Sequence, residues 1–139
     1  MFSYERGNET EAEFIEAELD LFNKRVKKTT QKEDHKKFTV IVKKDNEIVG
    51  GGIAYSSLYY IGYLETLWVN PFFRKQSIGS QILLLLEKSL LEYGCDMCHL
   101  ETFDFQAPSF YKKNGYEVFG ELHYQKQNLT EFFLKKNLS

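Results

Sequence analysis

The sequence predicts a mixed α/β fold built on one β-sheet. A strand (Leu58 to Val69), an apolar-striped helix (Ile78 to Tyr93) and another strand (Met97 to Phe103) follow one another. This order implies a right-handed crossover that joins two parallel strands. Two β-rich segments around the turn at Lys43–Glu47 predict an antiparallel hairpin. Two more strands, Tyr116 to Leu122 and Asn128 to Lys136, are predicted towards the C-terminus.

Length and composition restrict the class of protein. A chain of 139 residues suits a single domain over residues 1–139, and its 42% hydrophobic content predicts a packed core. The net charge of −2 argues against nucleic acid as the main partner. We find neither a secretory signal nor an apolar run approaching the ~20 residues that span a bilayer. We therefore expect a soluble, cytoplasmic protein with no membrane partner.

The N-terminal part of the chain is predicted to be helical from Glu11 to about Lys28. Thr10 and Glu13 match the capping-box pattern, in which two side chains bond the free N–H groups of a helix start. Apolar residues then recur at helical spacing, at Phe14, Ile15, Leu19, Phe22 and Val26. We expect a short edge strand at Phe2–Arg6 before the helix and a solvated loop at Lys27–Lys37 after it.

Glycines mark two of the predicted strands. Gly50, Gly51 and Gly52 lie within the strand from Ile48 to Ser56, where they weaken it unless the backbone bends or approaches another group. A β-bulge and a ligand passing close to the backbone would each account for them. Gly62 is expected to interrupt the following strand.

The loop from Arg74 to Ser80 lies where a helix begins. Its backbone N–H groups have no partners within the helix, and the positive end of the helix dipole adds to them, so the loop favours an anion. Cationic and amide side chains surround it, Gly79 lets a ligand approach the backbone, and Ser77 is expected to be the N-cap. The natural occupant is a phosphate-bearing ligand, most simply a pyrophosphate. The alternative is a helix start that binds nothing, since the common nucleotide-binding fingerprints are absent.

Two motifs resemble those of one enzyme family. Arg74-Lys75-Gln76-Ser77-Ile78-Gly79 resembles the R/Q-x-x-G-x-G/A loop of the GCN5-related N-acetyltransferases, and the preceding Leu67–Arg74 resembles the strand end that leads into it. Ala107–Tyr116 resembles the second motif of that family, A-x-x-L/F-Y-x-k-x-G-F. The resemblance covers residues from about Ile48 to Phe119. Lys75 and Ser77 depart from it, because the family often has glycine at both positions.

The resemblance implies a strongly bent mixed sheet of six to seven strands, with a splayed central parallel pair and three to four flanking helices. It implies acetyl-CoA as the cosubstrate, no metal, and a small-molecule or peptide amine as the acceptor. It also leaves a homodimer open. The residues that it implies for coenzyme binding are Leu67, Trp68, Val69, Arg74, Lys75, Gln76, Ser77, Ile78, Gly79, Ser80, Asp104 and Tyr111.

The resemblance also assigns roles in acetyl transfer. Backbone N–H groups at Leu67–Val69 would stabilise the oxyanion, and Tyr111 would protonate the leaving thiolate, since a phenol is protonated at neutral pH. Core packing is the alternative for Tyr111. Glu65, expected on the same strand face as Leu67 and Val69, is the candidate base or amine anchor, and a solvated surface carboxylate is its alternative. Asp104 is the rival, either near the reaction or capping the following helix.

Other functions remain open at this point. One alternative is that the same fold holds acyl-CoA without catalysis, as a regulatory module. The Cys95-x-x-Cys98 pair suggests a thiol redox protein or a zinc site, but zinc needs two further ligands, and buried thiols are the simpler interpretation. His123 and Tyr124 are expected on a late turn that borders the acceptor site.

Overall fold

The computed structural model describes all 139 residues, with three α-helices and six strands. In chain order these are α1 (Glu9–Val26), β1 (His35–Lys44), β2 (Glu47–Ser57), β3 (Ile61–Val69), α2 (Ile78–Tyr93), β4 (Met97–Phe103), α3 (Pro108–Lys113), β5 (Glu117–Tyr124) and β6 (Leu129–Asn137). Residues 1–32 and 33–139 form two compact units. None of the helices has both the length and the apolar character needed to cross a membrane.

The first unit contains α1, which starts two residues earlier than predicted. Its N-cap is Asn8, whose side chain accepts a hydrogen bond from Glu11 N at 2.9 Å, while Glu11 Oε1 accepts one from Asn8 N at 3.0 Å. The capping box is therefore Asn8–Glu11, and the prediction from Thr10 and Glu13 was wrong. Asparagine is among the strongest N-cap residues, which explains the earlier start. Residues Phe2–Arg6 form no strand.

The second unit contains a six-stranded sheet with the order β1-β2-β3-β4-β6-β5. Only β3 and β4 are parallel, and α2 makes the predicted crossover between them. Gly94 ends α2 with φ +132°, a conformation that L side chains rarely adopt. The predicted mixed sheet and its parallel pair are thus confirmed.

The parallel pair is short, and it divides the sheet. β3 and β4 pair only at Gly62–Cys98 and Tyr63–His99, and beyond these positions no pairing is formed. Gly62 does not interrupt β3 as predicted. A Cβ at this position would lie 2.5 Å from Met97 O, so glycine allows the one close approach between the two strands. Past Tyr63, the edge of β3 that faces away from β2 has no strand partner.

Two of the three glycines of β2 make room for neighbouring elements: Gly52 for helix α2, and Gly51 for the backbone of β1, since a Cβ at Gly51 would lie 2.7 Å from Val40 O. A Cβ at Gly52 would lie 2.7 Å from Leu86 Cδ1 and 3.0 Å from Ile82 Cγ2, both on α2. A register shift adjoins the glycines: Val42 pairs with Gly50 but Lys43 pairs with Ile48, which leaves Val49 as the extra residue of β2. The bulge considered for the glycine run therefore lies at its start, and the space above Gly52 is filled by the helix, so a ligand is not needed to explain that glycine.

The buried face of α2 differs from the predicted stripe. Its buried residues are Ile82, Leu83, Leu86, Glu87 and Leu90. The helical spacing of Ile78, Ile82, Leu85, Leu86 and Leu90 predicts a buried stripe that includes Leu85. Leu85 is 49% exposed instead, and Leu83 takes its place in the core. Four consecutive leucines make the helical period ambiguous there, and the glycine surface of β2 decides which of them are buried.

The last two strands pair for longer than predicted. β5 extends to Tyr124, and His123 and Tyr124 pair with Thr130 and Leu129 of β6. The prediction that these two residues lie on a turn was therefore wrong. The turn comes later, at Gln125–Gln127, and it returns into β6 through Asn128 with φ +48°. Asparagine tolerates this left-handed conformation well, which places the turn there.

Candidate functional site

A cleft of about 740 Å³ opens where β3 and β4 separate. The end of β3, the loop that follows it and the first turn of α2 form one wall, and α3 with the residues before it forms the other. The lining residues are Leu67, Trp68, Val69, Phe73, Arg74, Lys75, Ser77, Ile78, Gly79, Ser80, Phe105, Gln106, Ala107, Phe110, Tyr111 and Lys113.

Most of the residues proposed for coenzyme binding therefore lie together around one cleft. Gln76 and Asp104 do not line it, and neither does Glu65, the candidate base. The predicted set of coenzyme-binding residues lacks six residues that line the cleft. Two of them are Ala107 and Lys113, and the other four are aromatic or polar. They could have been found from their positions within or beside the two motifs. The four aromatic or polar residues are Phe73, Phe105, Gln106 and Phe110.

The loop before α2 contains two strained residues. Lys75 has φ +65° and Ser77 has φ +62°, both in the left-handed region that favours glycine. Ser77 is the N-cap of α2, as predicted, but its side chain makes no cap hydrogen bond. The left-handed backbone takes the hydroxyl out of reach of the helix start. Hydrogen bonding within the helix begins with Gln81 N, which donates to Ser77 O at 3.1 Å, so the N–H groups of residues 78–80 have no helical acceptor.

We expect Ser77→Gly to stabilise the protein slightly. Relief of left-handed strain, roughly 1–2 kcal/mol, exceeds the ~0.5–1 kcal/mol of extra backbone entropy that glycine loses on folding. The net gain is about 0.5 kcal/mol in urea unfolding. Ser80→Gly is the matched control, because Ser80 lies inside α2 and glycine there costs up to about 1 kcal/mol. Equal destabilisation by both substitutions would contradict this account of Ser77.

Gly79 makes room for a side chain of the protein as well as lining the cleft. A Cβ there would lie 3.2 Å from Phe110 Cζ and 3.3 Å from its Cε1. The phenyl ring of α3 thus packs on the first turn of α2. This contact joins the two walls and fixes the position of α3 beside the helix start.

The cleft is lined by three cationic side chains and no carboxylate, in a chain of net charge −2. Arg74 and Lys75 lie on the loop, and Lys113 lies on the last turn of α3. Arg74 Nε donates to Val69 O at 3.2 Å, which holds the guanidinium against the end of β3. With the free N–H groups of α2, this surface favours a ligand with more than one negative charge.

Tyr111 lies deep in the cleft and is only 9% exposed. Its ring packs edge-on against Phe110 and Tyr116, with centroid distances of 5.2 and 5.9 Å. Burial, with a smaller contribution from Cys98, raises the pKa of Tyr111 to about 12. Its hydroxyl has no hydrogen-bond partner in the protein, and no buried side-chain oxygen is left unpaired, so this hydroxyl opens to the cleft. It is a neutral proton donor available to a bound ligand.

Glu65 lies at a bulge in β3. The register with β2 jumps from Ile53–Thr66 to Ala54–Leu64, which leaves Glu65 as the extra residue. Leu64 and Leu67 both pack on the core although they are three residues apart. Glu65 is exposed and therefore lies on the opposite face from Leu67 and Val69. The prediction that these residues share a face was wrong, because a bulge resets the alternation of a strand.

Tyr63 shares that opposite face with several carboxylates. Tyr63 Oη donates to Glu101 Oε2 at 2.6 Å, across the gap between β3 and β4. Burial, the bond to Glu101 and the nearby charges of Glu65 and Glu131 raise the pKa of Tyr63 above its usual value. The His99 ring lies 5.0 Å from that of Tyr63. Aromatic faces and carboxylates together make this surface suitable for a cation.

Asp104 joins two strands instead of capping α3. Its Oδ2 accepts from Thr130 N at 3.2 Å, and its own N–H donates to Thr130 O at 2.9 Å. The N-cap of α3 is Ala107, which makes no side-chain cap bond. The capping role that we considered for Asp104 was therefore wrong.

The two cysteines are free thiols and are fully buried. Burial raises the pKa of Cys98 to about 11, so the reactive thiolate is scarce at neutral pH. No group of three or more His, Cys, Asp or Glu side chains is arranged to hold a metal ion. The structure gives the redox and zinc hypotheses no further support.

Comparisons with known proteins agree on one family. Residues 4–116 match the model of the acetyltransferase (GNAT) family. The chain is 30% identical over 93 residues to blasticidin-S acetyltransferase from Streptomyces morookaense, which covers 66% of this chain and 68% of that protein.

Solved structures show the same fold. An acetyltransferase from Bacillus cereus superposes with a TM-score of 0.88 at 29% identity, covering 98% of this chain and 97% of that one. A protein described as a streptothricin acetyltransferase from Bacillus anthracis, in complex with acetyl coenzyme A, gives a TM-score of 0.66 at 19% identity. That match covers 73% of this chain and 62% of the other.

The sheet split at β3 and β4, the cleft beside it and the match over most of the chain lead to the same result. The predicted family and enzyme class are confirmed: this chain belongs to the GNAT family of acetyltransferases.

Proposed function

We propose that the protein transfers an acetyl group from acetyl-CoA to a primary amine of a small cationic molecule. The observation that carries this proposal is the position of the cleft. It combines an anion-favouring wall and a buried phenol at the point where β3 loses its strand partner.

The coenzyme is proposed to bind with its pyrophosphate at the start of α2. The unpaired N–H groups of residues 78–80 and the side chains of Arg74 and Lys75 supply donors there. The acyl end would then lie along Leu67–Val69. β2 bonds only one edge of β3, so every second N–H in this segment points into the gap and is free to bond the thioester carbonyl.

The transfer itself needs two proton movements. The neutral amine attacks the carbonyl carbon, a C–N bond forms, and the negative charge that develops on oxygen is stabilised by the free N–H groups of β3. Collapse of the intermediate breaks the C–S bond. Tyr111 gives its proton to the departing sulfur, which leaves as the CoA thiol. The amine proton passes to Glu65, directly or through water. Proton exchange with water then restores the Tyr111 phenol and the Glu65 carboxylate, and the net reaction yields an amide and free CoA.

The acceptor is proposed to be a cationic small molecule. Glu65, Glu101 and Glu131 lie around Tyr63 on the face of the sheet opposite to α2, and they would attract an ammonium group before deprotonation. The curated relative is named for acetylation of blasticidin S, which supports a small-molecule acceptor over a peptide.

A non-catalytic acyl-CoA-binding module is the second candidate. Two observations favour it: the left-handed Lys75 and Ser77 in the loop, and the absence of Glu65 from the cleft lining. The two functions share the coenzyme site and differ only in turnover, so one experiment can separate them.

The test combines thermal melting with an assay for thiol release. Acetyl-CoA at about a hundredfold excess over Kd is expected to stabilise the protein by roughly 2.7 kcal/mol. Free CoA should then appear on addition of 1,6-diaminohexane and more slowly with hexylamine, which has one charge fewer. A melting shift without thiol release for any amine would favour the binding module. Absence of a shift at millimolar acetyl-CoA would remove both candidates.

A further inference from the structure

The cleft contains one cation that the proposed pyrophosphate site does not use. Arg74 and Lys75 lie on the loop beside the α2 N–H groups, whereas Lys113 lies on the opposite wall. Lys113 has no hydrogen bond, ion pair or ring contact within the protein, and it is exposed at the edge of the cleft. Its charge is therefore available to a ligand.

The direction of Lys113 is set by helix geometry. Phe110 packs on Gly79, which fixes the face of α3 that is turned towards α2. Residues three apart share a helix face, so Lys113 follows Phe110 along the cleft while Lys112 points elsewhere. Lys112 is exposed and does not line the cleft. The end of α3 is closed by Asn114, whose Nδ2 donates to Phe110 O at 2.9 Å, so Lys113 is not needed as a cap.

The charges of the coenzyme can be assigned to these groups. Coenzyme A carries two separate anionic centres, the pyrophosphate bridge and the 3′-phosphate of the ribose. The pyrophosphate is accounted for by the start of α2 and the loop cations. A phosphomonoester near the end of α3 would meet the negative end of a short helix, which is unfavourable unless a cation is present.

We propose that Lys113 binds the 3′-phosphate of coenzyme A and makes the enzyme discriminate coenzyme A from its 3′-dephospho form. This inference rests on the proposed coenzyme site. An ammonium group paired with a dianionic phosphate at the edge of the cleft forms charge-assisted hydrogen bonds, partly screened by solvent. We expect a preference of about tenfold for coenzyme A over dephospho-coenzyme A, decreasing with salt.

The experiment measures Kd for coenzyme A and dephospho-coenzyme A by calorimetry in wild type, Lys113→Gln and Lys112→Gln. In Lys113→Gln, the affinity for coenzyme A should fall to that for dephospho-coenzyme A, so that the ratio of the two Kd values is near one. Lys112→Gln is the matched control, and it should keep the wild-type ratio because the same charge is removed outside the cleft.

The outcomes separate the two proposals. A tenfold ratio that persists in Lys113→Gln would overturn the assignment, as would equal weakening of both ligands. A wild-type ratio near one would also overturn it, while leaving the coenzyme site intact. Wild-type protein that binds neither ligand would instead refute the proposed function and the assignment with it.

Discussion

Turnover of the Tyr111→Phe enzyme is expected to fall by about 10²–10⁴-fold, with acetyl-CoA affinity changed by less than about twofold. The ring keeps its edge contacts with Phe110 and Tyr116, so the cleft keeps its shape. Only the hydroxyl is lost, and in wild type it has no partner in the protein. Steady-state thiol release and a coenzyme titration measure the two quantities separately.

The pH dependence and a control substitution sharpen this test. The raised pKa keeps the phenol protonated, so Tyr111 itself causes no loss of turnover until the pH approaches about 12. Tyr93→Phe removes a hydroxyl from α2 outside the cleft and should leave turnover unchanged. Turnover of Tyr111→Phe equal to wild type would remove this residue from the mechanism.

The Glu87→Ala protein is expected to lose about 2–3 kcal/mol of stability. The Glu87 side chain is only 8% exposed, and its carboxylate accepts from Tyr116 Oη at 2.8 Å and Lys136 Nζ at 2.9 Å. Removal of the carboxylate leaves the Lys136 ammonium and the Tyr116 hydroxyl without their partner, and an unpaired buried group strongly destabilises the folded state. We place the effect at the low end because Lys136 is 27% exposed and regains some solvation. Denaturant unfolding measures the loss.

A double-mutant cycle identifies the cause of this loss. If unpaired Lys136 carries the cost, Glu87→Ala with Lys136→Met should lose less than the sum of the two single variants. Glu92→Ala, on the exposed face of α2, is the matched control, and its 4.0 Å pair with Lys88 should contribute under about 0.5 kcal/mol. Strict additivity would show that packing, rather than charge, accounts for Glu87.

Local signals in the sequence were enough to predict the strands and helix ends that surround the cleft. Met97–Phe103 was placed as a strand with the bounds that the structure has, because it follows the glycine that ends the preceding helix. Gly94 and Gly115 marked the helix ends, and both have positive φ. The order of strand, helix and strand was sufficient to predict the parallel pair.

Features that depend on distant contacts could not be predicted in this way. Gly52 and Gly79 are explained by Leu86 and Phe110, which come much later in the chain. The bulge at Glu65 depends on the pairing of β3 with β2, and the alternation of residues in β3 alone predicts the wrong face for the Glu65 side chain. Glu87 appears polar and exposed until Lys136, on the last strand, is known to reach it.

The two-position ladder between β3 and β4 has a mechanical consequence. The sheet consists of two three-stranded halves, β1–β3 and β4–β6, joined by very few backbone hydrogen bonds. Their cohesion depends on α2 across the join and on the Tyr63–Glu101 bond. A ligand in the cleft touches the end of β3 on one side and the segment after β4 on the other. If the proposed coenzyme binds there, it acts as a structural link of the sheet, and we expect occupancy of the cleft to be energetically coupled to the stability of the fold.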